Sequence, residues 1–209
     1  MTEGRPVDQY HAVMSRIRSR LDVISQIRRS NLSTLSALET AAFHLRKVIE
    51  GIAFGCLIAC ENGVKRLPRD AQGQWNADNI FSRLDRRGVL ALPNPSAFRS
   101  PTSEEREEMK RSIGAELAHV IEGQPDACLN VDDIRSMYRR THGWLHEENP
   151  YVARDADQRA VEVENLWSDV DKIEGLLGSH AIGISGEMFF CVLRDKDRTT
   201  VAAASKVAA

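Results

Sequence analysis

Apolar residues recur along this chain at steps of three and four, and that period predicts a mostly helical protein. From about Asp8 to Arg29, Tyr10, Val13, Met14, Ile17, Leu21, Ile24 and Ile27 form one stripe, with Arg16, Arg18, Arg20, Arg28 and Arg29 at the other positions. After the cap-rich break Ser30-Asn-Leu-Ser, the residues Leu35, Leu38, Ala42, Leu45, Ile49, Ile52, Cys56 and Ala59 predict a long core helix ending at Asn62-Gly63. Residues 64 to 75 read as a loop anchored by Trp75. Asn76 then caps a short helix that stops at Gly88. The proline-bearing stretch Val89 to Pro101 reads as irregular, and the acidic turn Thr102-Ser-Glu-Glu-Arg-Glu-Glu opens a helix expected to run, unevenly past Gly114, to Ile121. Further helices are expected from Asp132 or Asp133 to Asn149-Pro150, and from Asp155 to Gly178. The second of these carries Val161, Leu166, Trp167, Val170, Ile173, Leu176 and Leu177 inward and an acidic outer face.

The period then changes. Met188-Phe-Phe-Cys-Val-Leu193, the turn-like Asp195-Lys-Asp-Arg198 and the β-branched and small residues Thr199 to Val207 predict a terminal β-hairpin, which must lean on the helices to be stable. The expected fold class is therefore mainly α, a bundle of about five to six helices with a C-terminal β-hairpin. Residues 1–180 form the helical domain, and residues 181–209 pack on it as hairpin and tail.

Composition narrows the functional classes. With 209 residues, 42% hydrophobic and 28% charged, the chain can bury a good-sized core. A net charge of −2 offers no whole-surface attraction for nucleic acid, so any RNA contact must come from a local basic patch. Cys56, Cys60, Cys128 and Cys191 form no Cys-x-x-Cys pair and sit in apolar contexts, a pattern of packed, reduced thiols and of a cytoplasmic protein. No leader opens the chain, and the most apolar window, Ile49 to Ala59, is too short to span a membrane. Walker, dinucleotide and Gly-x-Ser-x-Gly patterns are missing from the sequence, which removes support for nucleotide hydrolysis and serine esterase chemistry.

Candidate chemistry concentrates between Ile134 and Pro150. On a helical wheel with Ile134 at zero, Met137, Tyr138, Thr141, Trp144 and Leu145 lie within about 80° and form a buried side. Arg135, Arg139, His142 and His146 fall between about 80° and 140°, so two guanidinium groups and two imidazoles share one edge, while Arg140 lies near 240° and needs a bend, expected at Gly143, to join them. Imidazoles move protons near neutral pH and guanidinium groups bind phosphate oxygens, the equipment for cleaving a phosphodiester without a metal. Arg46 and Glu50, one turn apart on the long core helix, are expected to pair. His142 and His146 are also spaced to hold one metal, but neither Glu147 nor a cysteine offers an obvious third ligand.

These residues resemble the HEPN superfamily of all-helical domains. Arg139 precedes His146 with six residues between, and Arg140 precedes it with five, matching the family's Arg-to-His separation near a helix end. Leu145-His-Glu-Glu-Asn-Pro150, and the early helix Glu39 to Glu50, also look like uncharacterised bacterial HEPN-like proteins. The likeness covers about residues 35 to 177 by helix order. It implies metal-independent RNA cleavage of the toxin or phage-defence type, at a site formed across a homodimer. His146 would be the acid/base, Arg139 or Arg140 the phosphate-positioning group, and His142, Arg46, Glu50 and Arg135 supporting residues. It implies no cofactor and no membrane, and a regulatory partner protein. Two other classes compete: a non-catalytic dimerisation or RNA- or nucleotide-binding module, in which the acidic helix meets a basic partner, and a helical metal-binding protein.

Overall fold

A computed structural model describes residues 5–30, 34–64, 73–114, 120–146 and 155–205. The chain runs α1 (Pro6–Arg29), α2 (Leu35–Val64), α3 (Ala77–Asp85), β1 (Asn94–Arg99), α4 (Ser103–Ile113), β2 (Val120–Gly123), a 3₁₀ turn (Pro125–Ala127), α5 (Val131–Trp144), α6 (Ala156–Leu177), β3 (Ser179–Ile184), β4 (Glu187–Asp195) and β5 (Arg198–Ser205). Among the described residues the protein is mostly helical, and no helix is long and apolar enough to cross a membrane.

α2 is the centre because its second half, from Gly51 to Cys60, carries no charged side chain on any side. Ile52, Ala53, Cys56, Leu57, Ala59 and Cys60 are all buried there, and a stretch that is hydrophobic all round must be covered all round. α1, α3, α5, α6, β3 and β4 surround it. The expected seam holds except at Leu35, in the first turn, which is exposed. α1 approaches most closely over Gly51 and Gly55. A Cβ at Gly51 would lie 2.8 Å from the Ile17 side chain, and one at Gly55 would lie 3.1 Å from the Tyr10 ring. Two glycines four residues apart thus make the groove that seats α1.

The β structure is larger than a hairpin. β4 and β5 form the expected ribbon, but β3 and β1 extend it, giving a five-stranded antiparallel sheet in the order β2-β1-β3-β4-β5. β1 occupies the stretch expected to be irregular. Prolines that break helices also hold their own φ, and the residue before them, near extended values. Within β1, Pro95 stands opposite His180, and its carbonyl accepts the Gln124 amide at 2.8 Å. The helix expected to reach Ile121 ends instead at Ile113, where Gly114 adopts the left-handed conformation (φ 68°), and Val120 and Ile121 enter β2.

Other expectations also need correction. Trp75 anchors nothing, being 82% exposed, and Val161 faces solvent. Cys56, Cys60 and Cys191 are buried free thiols as expected, but Cys128 is exposed beyond the 3₁₀ turn. α5 starts one residue earlier than expected, capped by the reciprocal Asn130–Asp133 box. It runs unbroken through Gly143 and ends at Trp144. The expected stop at Asn149-Pro150, most of the loop after Gly63, residues 115–119, Glu147 and the tail after Ser205 lie outside the described residues.

One buried polar contact ties helix to sheet. His180 of β3 is fully buried, with Nε2 2.7 Å from the Tyr10 hydroxyl and Nδ1 3.0 Å from the Leu177 carbonyl. A carbonyl only accepts, so Nδ1 carries the proton and Nε2 accepts from Tyr10. Protonating Nε2 would strip the buried hydroxyl of its acceptor, and burial holds the His180 pKa down to about 4. The unfolded imidazole titrates near pH 6.5. Stability from this site is therefore complete above about pH 6.5 and falls as pH drops from there through about 4, by at most about 3 kcal/mol. Urea unfolding from pH 7 to pH 4 checks this: wild type should lose stability steadily, and His180→Gln should lose less over the same range.

Candidate functional site

α5 lies against α2 through Ile134, Met137, Tyr138, Thr141 and Trp144, all buried, as the helical wheel requires. The contact is polar as well as apolar. Arg46 sits with its guanidinium carbon 4.0 Å from the Tyr138 ring centroid, donates to the Tyr138 hydroxyl at 2.6 Å and approaches Thr141 Oγ1 at 3.5 Å. Arg46 pairs with Glu50 at 3.4 Å, and Lys47 joins Glu50 at 2.6 Å. The Arg46 and Glu50 side chains are only 15% and 12% exposed, so the pair works in a largely dry setting where ring stacking and charge are worth more than at the surface. Tyr138 donates onward to Glu50 at 3.3 Å, and burial pushes its pKa above the ordinary tyrosine value.

The arginines of α5 separate to two neighbours. Arg135 and Arg139 converge on Asp78 of α3, at 2.6 Å and 3.1 Å, and the Arg135 hydrogen bond leads in lowering the Asp78 pKa. Arg140 turns to α6, where Nε and Nη2 grip the two carboxylate oxygens of Asp169 at 2.9 Å and 2.6 Å. Asp169 is buried, its side chain 4% exposed, whereas Arg140 is 45% exposed. This side-on grip uses one edge of the guanidinium, and no described residue takes Nη1.

The two histidines come together. The His142 and His146 rings stack with centroids 5.5 Å apart and planes 12° from parallel, and His142 Nδ1 lies 3.3 Å from His146 Nε2. One nitrogen donates to the lone pair of the other in this contact. His142 is held below the usual histidine pKa, first by desolvation and then by the positive Arg46 and by His146. It is therefore neutral near pH 7 and able to accept a proton.

Two troughs meet at the end of α5. One, between α2, α5 and α6, is lined by Leu45, Arg140, Trp144, Asn165, Leu166 and Asp169. The other passes from Gly143 and Trp144 to His146. Gly143, Trp144 and Glu162 border both, with Arg140 in the first and His146 in the second, while His142 lines neither. Among the described residues no group of three or more His, Cys, Asp or Glu side chains is placed to hold a metal ion. Comparisons with protein-family models, curated proteins and solved structures found no match.

The wheel placed Arg135, Arg139, His142 and His146 on one edge, and side-chain reach divides that edge: the arginines lean to α3 and the imidazoles to each other. Arg140, set apart by the wheel, stays apart from the imidazoles and turns to Asp169 of α6. The residue missed outright is Asp169, whose signal was available. It stands at the buried spacing of α6, three residues after Leu166 and four before Ile173, and a carboxylate on an apolar stripe requires a partner. The exposures of the pair predict an asymmetry. Arg140→Ala strands a buried carboxylate and should cost about 3 kcal/mol of unfolding free energy, whereas Arg140→Ala combined with Asp169→Asn should recover much of the loss. Chemical denaturation of both variants checks this, and equal losses would contradict it.

Proposed function

We propose that this protein is a HEPN-like, metal-independent endoribonuclease of the toxin or phage-defence kind, acting as a homodimer through the His142–His146 pair. The observation that carries the reading is the stacked imidazole pair at the exposed end of α5, with Arg140 lining a neighbouring trough. In the reaction, His146 accepts the 2′-hydroxyl proton of the nucleotide before the scissile bond. The resulting oxygen attacks the adjacent phosphorus, and the 5′ oxygen leaves with a proton from the equivalent imidazole of the second copy. His142 is the positioning residue. Its stacked ring fixes the orientation of His146, and its depressed pKa keeps His142 itself neutral. Arg140 offers Nη1 to a phosphate oxygen while Asp169 holds the other edge of the guanidinium. Arg139, more exposed and bound to Asp78 by one contact, is the second candidate for that role.

A second reading is a non-catalytic dimerisation or RNA-binding module. It is favoured by the closure of both arginines onto carboxylates, Arg139 on Asp78 and Arg140 on Asp169. RNA incubated with purified protein in chelator separates the two. The nuclease reading expects cleavage by wild type and a loss of roughly 100-fold or more in His146→Ala, with fold and oligomeric state unchanged. Cleavage that persists in that variant removes His146 from the site. A wild-type protein that cuts no RNA, and whose self-association is broken by Arg139→Glu, supports the module.

A further inference from the structure

The arginines of α5 and Arg46 of α2 are closed on carboxylates, but those on the outer side of α1 are not. Arg16 and Arg20 stand one turn apart and so share a face, and among the described residues neither pairs with a carboxylate. Arg20 reaches across to α2, where its Nη1 lies 3.5 Å from His44 Nδ1. A guanidinium only donates, so Nδ1 accepts and the proton of the neutral ring sits on Nε2. Next to His44, the Phe43 side chain is 42% exposed. Its ring meets the His44 ring edge-on with centroids 5.5 Å apart, and the Lys47 ammonium lies 6.0 Å from its centroid. On its other flank Phe43 lines an open groove of about 380 Å³, with Glu39, Thr40, Trp144, Leu145 and His146. An exposed aromatic thus stands between two open guanidinium groups and His146.

The combination narrows the occupant. An acidic peptide would satisfy the cations but needs no flat aromatic platform, and a duplex keeps its base faces inside the stack. A single strand carries phosphates along one side and unstacked bases along the other, and it uses both features. We infer that the outer face of α1 and α2 is a track for single-stranded RNA, in which phosphates follow Arg16, Arg20 and Lys47, a base stacks on Phe43, and the strand continues over the groove to His146. The charges on this face suit it. Glu50 is already held by Arg46 and Lys47, and Glu39 is the carboxylate in the groove lining, so with Arg16 and Arg20 the face stays net positive. Glu39 disfavours phosphate in the groove itself and leaves the backbone to the α1 side. The track rests on the RNA reading above and deepens it, giving the substrate class and its line of approach to the imidazoles. It also supplies the local basic patch that a chain of net charge −2 requires for any nucleic-acid contact.

Fluorescence anisotropy of the full chain with a labelled 2′-O-methyl oligouridine of about twelve nucleotides, which resists cleavage, tests it. The track expects saturable binding, tighter than of a duplex of the same length. Phe43→Ser should weaken the single strand about tenfold, the worth of one stacked base, with salt dependence and melting temperature unchanged, and Phe43→Trp should restore it. Arg16→Gln combined with Arg20→Gln should weaken binding and flatten the slope of log affinity against log salt by about 1.4, since each lost phosphate contact removes about 0.7. No binding of the oligonucleotide, full affinity in Phe43→Ser, or an unchanged salt slope in the arginine variant overturns the track. So does a duplex bound as tightly as the single strand, and polyglutamate bound as tightly as the oligonucleotide overturns it in favour of an acidic partner. Cleavage assays on the same variants separate this inference from the nuclease reading. Binding that follows Phe43 and the arginines in a protein that cuts no RNA keeps the track and removes the nuclease, whereas cleavage unaffected by these variants does the reverse.

Discussion

Arg46 held over the Tyr138 ring and on its hydroxyl is the contact from which the rest of the site is arranged. The Arg46 side chain is only 15% exposed, so its charge survives only where partners cover it, and Glu50, Tyr138 and Thr141 provide that cover. The contact fixes the rotation of α5 about its own axis. Once Tyr138 faces α2, the helical period places Arg135 and Arg139 toward α3, Arg140 toward α6, and His142 one turn beyond Tyr138. The same guanidinium then acts on the histidine across the turn, helping to keep His142 neutral.

The electrostatics of α5 are those of a helix held from both sides by buried or half-buried acids. Asp78 takes two arginines and Asp169 takes one. Such pairs orient more than they stabilise, since desolvation offsets much of the attraction. Their effect is to hold cationic groups at defined places around the exposed end of α5 while the net charge of the chain stays at −2. Each of these arginines is already paired with a carboxylate, so the charge around this end of α5 is largely balanced locally.

The helices were legible in the sequence because their apolar stripes are long and regular: α1, α2 and α6 follow from spacing alone, and the caps at Asn76 and Asp155 stand where they were expected. β1 and β2 were not legible. They are six and four residues long, one begins among prolines and the other follows a helix, and β1 finds its partners at Ala181 and His180 of β3 while β2 pairs only with β1. The burial of Tyr138, Thr141 and Trp144 and the Arg46–Glu50 pair were readable from periodicity. The direction of each arginine was not, because a wheel locates a Cβ, whereas a long side chain goes to whichever carboxylate lies within reach. Asp78 and Asp169 come from helices far along the chain, and only the packed fold brings them to α5.

The central claim is that His142 and His146 form one proton-handling unit that meets RNA. Proton NMR titration of the two imidazole resonances, assigned by single His→Gln variants, addresses it directly when repeated with a 2′-deoxy-substituted oligoribonucleotide that resists cleavage. The account predicts that His142 titrates below the ordinary histidine range, that each resonance senses the protonation of the other, and that both move when the oligonucleotide is added. Independent titration of both rings at ordinary histidine values, with neither resonance moving on addition of the oligonucleotide, would contradict it.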